Sequence, residues 1–249
     1  MGFKSLVNGV VGLTGYWISK RPSLARDIAA GKYRWLQDLN IATILDIGAN
    51  VGQFAGMIRA IVPGAMIYSF EPLEECFRDL NARAPSLKPM KCLQYALGRE
   101  DGVVTMHRND FSASSSFLPL ARGHREAFPF AQHTTDIRVP VRSLDSLAAD
   151  LTLKPPILMK ADIQGYELNM LDGAPNTLSL VEVLILETSF VELYEGQPLF
   201  HDLYEYLHVR GFSYAGSLEQ ILDPKSGAVL QGDLVFRRAR AESRGASRP

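Results

Sequence analysis

The stretch ILDIGANVGQF, residues 44 to 54, constrains the fold more than any other part of this chain. An apolar run breaks straight into Asp46, Gly48 and Gly52, which is the pattern of a buried strand turning sharply into a helix. The surrounding sequence repeats that alternation. Ile41 to Ile47 reads as a strand and Gly52 to Ile61 as a helix, which Pro63-Gly64 ends. Met66 to Phe70 reads as a second strand ending on Glu71-Pro72, Leu73 to Ala84 as a helix and Lys91 to Leu97 as a third strand. Short apolar strands in βαβαβ order predict a parallel sheet covered by helices on both faces.

The alternation then pauses. Val103 to Arg108 and Ile137 to Arg142 read as extended segments flanking SASSSFLPLARGHREAFPF, an insertion near residues 102–142 rich in serine and proline. Irregular stretches of that length in a compact domain commonly cover a functional site. The pattern resumes with Ile157 to Ile163 as a strand, a helix from Gly165, a strand from Val183 to Leu186 and a helix from Leu199 to Arg210. Phe212 to Ala215 and Asp233 to Arg237 form a closing antiparallel pair, joined by the turn DPKSG. This organises the chain as an N-terminal helical extension (1–40), one α/β domain (41–238) and a polar, disordered tail (239–249).

Leu6, Val10, Leu13 and Trp17 recur at helical spacing, with Lys4, Lys20 and Arg21 at the ends. The segment is a poor signal peptide and too short to span a bilayer. It is expected to pack on the domain, with peripheral membrane contact as the alternative. The formal net charge of −1 gives no overall field for a polyanion, so nucleic acid is not an expected partner. Two cysteines, Cys76 and Cys92, are too few for a disulfide framework and fit a reducing, cytoplasmic setting.

A dinucleotide-binding turn needs Gly-x-Gly-x-x-Gly; counted from Gly48, Asn50 and Gln53 stand where glycines are required. An NTP-binding loop needs Gly-Lys-Ser/Thr, which is absent. An acid at Asp46 would repel phosphate but suit a zwitterionic or cationic ligand. S-adenosylmethionine carries an ammonium, a carboxylate and a sulfonium, with no phosphate. In this scheme Gly48 and Gly52 let the backbone approach its amino-acid end, and Asp46 holds the turn through backbone N–H groups or meets the ammonium through water. Glu71 accepts the ribose hydroxyls, a role it would also have for NAD. Asp46, Gly48, Asn50, Gly52, Glu71 and Ala96 make up the candidate cofactor set.

In LMKADIQGYELNMLDGA, strand alternation puts Leu158, Lys160 and Asp162 on one face, with Asp162 at the carboxyl end where open α/β sheets bind ligands. Glu167 falls near the positive end of the following helix. With this block the chain resembles the FkbM family of S-adenosylmethionine-dependent O-methyltransferases. The resemblance rests on ILDIGANVGQF, FEP, VRSLDSL, MKADIQGYELNMLDGA, LILETSFVELYEG and HVRGF, in family order from about residue 41 to residue 237. Ala161 departs mildly from the apolar β-branched residue more usual there. The resemblance implies a Rossmann-like class I methyltransferase, a seven-stranded, mostly parallel sheet with a reversed last strand. It also implies methyl transfer to a hydroxyl of a small acceptor: a sugar, macrolide or glycolipid. A deoxyhexose of a glycolipid, oligosaccharide or polyketide is the specific expectation, on the resemblance alone.

Proton removal from a weakly acidic hydroxyl calls for a base. Asp162 is the first candidate, as base or as orienter of the acceptor, against a purely structural role holding the turn. Lys160 either stabilises alkoxide charge or pairs with a carboxylate. Glu187 ends the next strand and is expected to join Asp162. Two such carboxylates suit Mg²⁺, but no third ligand is evident and a metal is not expected. His107, His133 and His201 are further candidate bases, each more commonly a surface or packing histidine. Alternatives are a non-catalytic S-adenosylmethionine-binding partner subunit and an RNA methyltransferase, the latter disfavoured without an aromatic, basic single-strand platform. Oligomeric state is not legible.

Overall fold

The computed structural model describes residues 31–223 and 225–239. The expectations for the amphipathic segment before residue 31, for its membrane contact and for the tail from residue 240 lie outside the described residues. Within them, ten strands and seven α-helices follow in order. They are β1 (Thr43–Ile47), α1 (Gln53–Ile61), β2 (Met66–Phe70), α2 (Glu74–Arg83), β3 (Met90–Leu93), β4 (Ala96–Leu97) and β5 (Gly102–Asn109). Next come α3 (Arg122–Ala127), β6 (Thr134–Arg142), α4 (Leu144–Ala148), β7 (Ile157–Ala161), α5 (Glu167–Asp172) and α6 (Pro175–Leu178). β8 (Val181–Ser189), α7 (Phe200–His208), β9 (Phe212–Leu222) and β10 (Val229–Arg238) complete the chain.

Seven strands form one sheet in the order β3-β2-β1-β7-β8-β10-β9, parallel from β3 to β8 and antiparallel at β10 and β9. β1 and β7 occupy its centre, and all five residues of each are buried. That is why their sequences read as continuous apolar runs and not as alternations. Alternation survives in which face each residue covers. Ile44, Ile67, Leu158, Val183 and Ile185 pack with Ile58 of α1, while Leu45, Phe70, Met159 and Leu184 pack with Met170 of α5 and Leu203 of α7. Arg59 closes the end of α1. Its guanidinium donates to the carbonyls of Pro63 (2.7 Å), Ala65 (2.8 Å), Leu87 (3.1 Å) and Pro89 (2.8 Å), tying the helix to the loops that enter β2 and β3.

Three elements differ from the sequence expectations. The third strand does not run from Lys91 to Leu97: after Leu93 the chain leaves the sheet edge, and Ala96-Leu97 join a second sheet of order β4-β6-β5. The insertion is therefore built on β5 and β6 of a three-stranded sheet that Ala96-Leu97 complete, and its loop-rich centre carries α3. The strand from Ile157 stops at Ala161, because Gln164 (φ 55°) and Gly165 (φ 93°) turn left-handed just beyond it. The closing hairpin is longer than expected. β9 lies at the sheet edge with most of its residues exposed, so no buried face marks its length in the sequence. Among the described residues no helix is long and apolar enough to cross a membrane.

Two substitutions test the packing around α1. Arg59→Lys keeps the charge but loses the fork, and is expected to lower unfolding free energy by about 1–3 kcal/mol. Gly56→Ala, at an exposed helical position with open space around it, is expected to raise it by up to about 1 kcal/mol. Urea unfolding at constant m-value measures both.

Candidate functional site

The site forms where the carboxyl ends of β1, β2 and β7 meet the insertion. A cavity of about 210 Å³ there is lined by Gly48, Asn50, Glu71, Tyr95, Ala96, Ser112, Phe117, Lys160, Asp162 and Gln164, with Phe70, Leu97 and Met106 among its apolar walls. Four of the six candidate cofactor residues, Gly48, Asn50, Glu71 and Ala96, thus face one space. Asp46 and Gly52 do not line it.

The turn after β1 is satisfied from within. Gly48 and Ala49 N–H both donate to the Phe70 carbonyl at 3.0 Å, and Asn50 N–H donates to Glu71 Oε2 at 2.8 Å. Val51 N–H donates to Asn50 Oδ1 and Gly52 N–H to the Ala49 carbonyl, each at 2.8 Å. Five successive amides are engaged, which leaves no N–H nest for a phosphate. The two glycines serve the protein's own packing. A Cβ on Gly48 (φ 75°) would lie 2.0 Å from the Asp162 carbonyl oxygen, and one on Gly52 (φ 84°) would lie 2.9 Å from Leu80 Cδ1.

Asp46 is engaged through one oxygen. It is fully buried, and its Oδ2 accepts from the Ser69 hydroxyl at 3.0 Å, while Oδ1 has no protein partner among the described residues. The turn's N–H groups go elsewhere, so Asp46 does not hold them. Its carboxyl is pushed up to about 6 by burial, against the pull of Lys160, its neighbour in register on β7. Glu71 is 5% exposed and receives the Asn50 and Leu73 N–H groups at 2.8 and 2.9 Å; burial outweighs those bonds and pushes its carboxyl up to about 7.

Lys160 and Asp162 are joined directly, with Nζ donating to Oδ2 at 3.1 Å, and the ammonium also lies 5.9 Å from the Phe54 ring centre. Burial opposes the charge of Lys160, but Asp162, Asp46 and Asp233 outweigh it and keep the ammonium protonated. Burial likewise opposes the Asp162 carboxylate, yet Lys160 and the hydrogen bond from Gln164 hold it below its ordinary value. Glu187 goes the other way: burial first, then the charges of Asp162 and Asp233, hold its carboxyl well above the usual range. The two carboxyls are therefore driven apart, Asp162 toward its ionised form and Glu187 toward its protonated one.

Glu187 does not line the cavity itself and joins Asp162 through Gln164, whose amide nitrogen donates to both; Gln231 donates to the other Glu187 oxygen at 2.6 Å. Gln164 and Tyr194, which donates to the Gln164 amide oxygen at 2.6 Å, are site residues that residue-by-residue reading missed. The available signal was their place inside the blocks DIQGYE and FVELYEG. The three candidate histidines lie elsewhere, each beside an aspartate: His107 with Asp136 (2.7 Å), His133 with Asp110 (3.1 Å) and His201 with Asp202 (3.2 Å). None lines the cavity. His124 of the insertion is instead buried between Phe128 and Tyr194, with its pKa lowered to about 4 by burial. Among the described residues no three His, Cys, Asp or Glu side chains converge to hold a metal ion.

The sequence model of the methyltransferase FkbM domain matches residues 46–214, well over half of the chain. The chain belongs to the FkbM methyltransferase family. Among relatives of this FkbM protein, the 2-O-methyltransferase NoeI of Sinorhizobium fredii is 26% identical over 160 residues, covering 62% of this chain and 66% of NoeI. The hexuronic acid methyltransferase AglP of Haloferax volcanii is 25% identical over 145 residues, covering 57% of this chain and 54% of AglP. The solved structure of a methyltransferase FkbM from Methylobacillus flagellatus superposes with a TM-score of 0.50 at 14% identity, over 80% of this chain and 44% of that one. The chain spans two thirds or less of these three proteins. The FkbM match and this superposition agree with the Rossmann-like class I methyltransferase sheet described above.

Buried carboxyls give the family site a pH signature. Glu71 and Glu167 ionise near 4.5 when unfolded and near 7 when folded. The folded state binds more protons between those values, so this part of the stability is full below about pH 4.5 and is lost as pH rises through 7. Glu167 is 2% exposed and accepts the Ile163 and Gly165 N–H groups, roles that an amide oxygen can take over. Glu167→Gln is expected to remove on the order of 2 kcal/mol of this pH dependence, read from urea midpoints at pH 5 and pH 8.

Proposed function

We propose that this chain is an S-adenosylmethionine-dependent O-methyltransferase acting on an uncharged sugar hydroxyl, such as that of a deoxyhexose carried on a glycolipid, oligosaccharide or polyketide. One observation carries the reading: an ionised carboxylate, Asp162, lies in the wall of a cavity whose glycine turn has no amide left for a phosphate. The name of NoeI, a 2-O-methyltransferase, supports transfer to oxygen, and that of AglP, a hexuronic acid methyltransferase, supports a sugar-derived acceptor.

The lining fits the cofactor. Gly48 and Asn50 would border its amino-acid end and Glu71, with lone pairs beyond its two N–H bonds, would accept the ribose hydroxyls. Ala96, Leu97 and Phe70 offer an apolar surface for a purine. When bound, S-adenosylmethionine supplies a methyl group already activated on a sulfonium, so the acceptor C–O bond forms as the C–S bond breaks. The protein then has two tasks, to align the acceptor oxygen and to remove its proton. Asp162 performs the second: its ionised carboxylate takes the hydroxyl proton as the oxygen loses electron density to the methyl carbon. Lys160 keeps Asp162 ionised until then and balances its charge. It is the one cationic residue lining the cavity among those described, and Asp162 occupies it. An acceptor carboxylate would therefore enter an acid-rich site without a partner, at a large desolvation cost.

Two measurements test this. Asp162→Asn is expected to lower turnover by about 10²–10⁴-fold while S-adenosylmethionine affinity, followed by calorimetry, stays close to that of the parent. Unchanged turnover removes Asp162 from the chemistry. With labelled S-adenosylmethionine, neutral 6-deoxyhexosides are expected to be methylated at least about tenfold more efficiently than the matching uronates, given the cost of an unpaired buried charge. Label appearing only in RNA, or cofactor binding without turnover on any acceptor, sinks the proposal in favour of the RNA methyltransferase or the non-catalytic subunit.

A further inference from the structure

Gln164 has no part in the scheme above, yet it is the most constrained polar side chain at the site. Its backbone is left-handed at φ 55°, uncommon for a residue with a side chain, and its carbonyl accepts the Ser116 hydroxyl at 2.6 Å. From that position the amide nitrogen donates to Asp162 Oδ1 at 2.7 Å and to Glu187 Oε2 on β8. The amide oxygen accepts from Tyr194, whose hydroxyl also lies 3.3 Å from the Ser114 carbonyl. Tyr194 is 2% exposed, and its ring packs 5.2 Å from that of His124, so it cannot turn away without disturbing the insertion.

The valences decide the arrangement. A primary amide has two N–H groups and one oxygen; two carboxyls stand on one side of Gln164 and a phenol with a hydrogen to give stands on the other. One orientation lets the amide donate to both carboxyls and accept from the phenol. Flipped, the amide would set its oxygen against both carboxyls. We propose that Gln164 and Tyr194 are positioning residues for methyl transfer: Tyr194 fixes the amide, and the amide clamps Asp162 and Glu187 into a pair with one carboxylate facing the acceptor. The role in transfer rests on the O-methylation reading; the clamp rests on geometry alone.

The groups that face Asp162 set the direction of its effect. Lys160 on β7 and a hydrogen bond with Glu187 on β8 favour its ionised form, whereas burial and the charges of Asp233 on β10, Asp46 on β1, Glu71 after β2 and Glu167 on α5 oppose it. Removing the amide N–H groups takes away one of the bonds that favour the carboxylate and leaves Lys160 and Glu187 to do so, so Asp162 gains proton affinity. A glutamine that merely fills space would not produce that change.

Carboxyl-¹³C aspartate and glutamate labelling of the full chain, with Asp162 assigned through Asp162→Asn, follows its titration by NMR. Gln164→Leu is expected to raise the proton affinity of Asp162 about tenfold, and Tyr194→Phe to raise it by less. The acid limb of the kcat/KM pH profile should move in the same direction, with S-adenosylmethionine affinity within about twofold. Where Gln164→Leu does not fold, Tyr194→Phe, which keeps the packed ring, decides the matter. An Asp162 titration unchanged in folded Tyr194→Phe overturns the relay. A shifted titration without methyl transfer to any acceptor overturns the O-methylation reading and leaves the clamp standing.

Discussion

At the centre of the sheet, two loops meet with no room for a side chain between them. Gly48 follows β1, Asp162 follows β7, and a single methyl group on Gly48 would overlap the Asp162 carbonyl. The Asp162 N–H in turn reaches back to the Ile47 carbonyl at 3.1 Å. The rest of the site depends on this contact, because it brings the wall that suits a cofactor and the carboxylate that suits an acceptor to one cavity. The left-handed turn at Gln164 and Gly165 then redirects the chain into α5, and Glu167 at the start of that helix holds the turn by two backbone N–H groups.

Around that contact the protein buries far more acidic groups than basic ones. Asp46, Glu71, Glu167, Glu187 and Asp233 are all pushed upward by loss of water, and Lys160 supplies the countercharge. Such a cluster is a poor source of stability. Its effect is to make otherwise similar carboxyls unequal: the one beside the ammonium and the amide is held toward its ionised form, while its neighbour is pushed toward its protonated one. Pairs whose surroundings drive them apart in this way characterise sites of proton transfer.

The central sheet was legible because Ile44-Leu45 and Leu158-Met159 are buried on both faces, and continuous apolar runs record that directly. Elements that are half exposed left weaker traces. Most residues of β9 are exposed, and the departure of the chain at Gln94-Tyr95 follows from pairing with β6, some 45 residues further on. In the site, Gly48, Asn50, Glu71, Ala96, Lys160 and Asp162 were marked by their places at strand ends, and the structure puts all six on one cavity. The turn-holding role considered for Asp46 fails because its hydroxyl partner, Ser69, comes from another strand. Gln164 and Tyr194 escaped notice because glutamine and tyrosine carry no chemistry of their own here; they matter through the partners that the fold brings to them.

The five internally bonded amides of the turn after β1 bear on how a ligand comes and goes. A phosphate-binding loop commonly lends its N–H groups to the ligand and is left with unsatisfied donors when the ligand departs. Here the turn loses no hydrogen bond on release, so its shape does not depend on being filled. A cofactor that is spent in a single step must be exchanged at every cycle. As the proposed seat of the cofactor, a turn that keeps its form while empty would let the spent molecule leave and a fresh one enter without refolding, and the ordering cost of each rebinding would fall on the ligand.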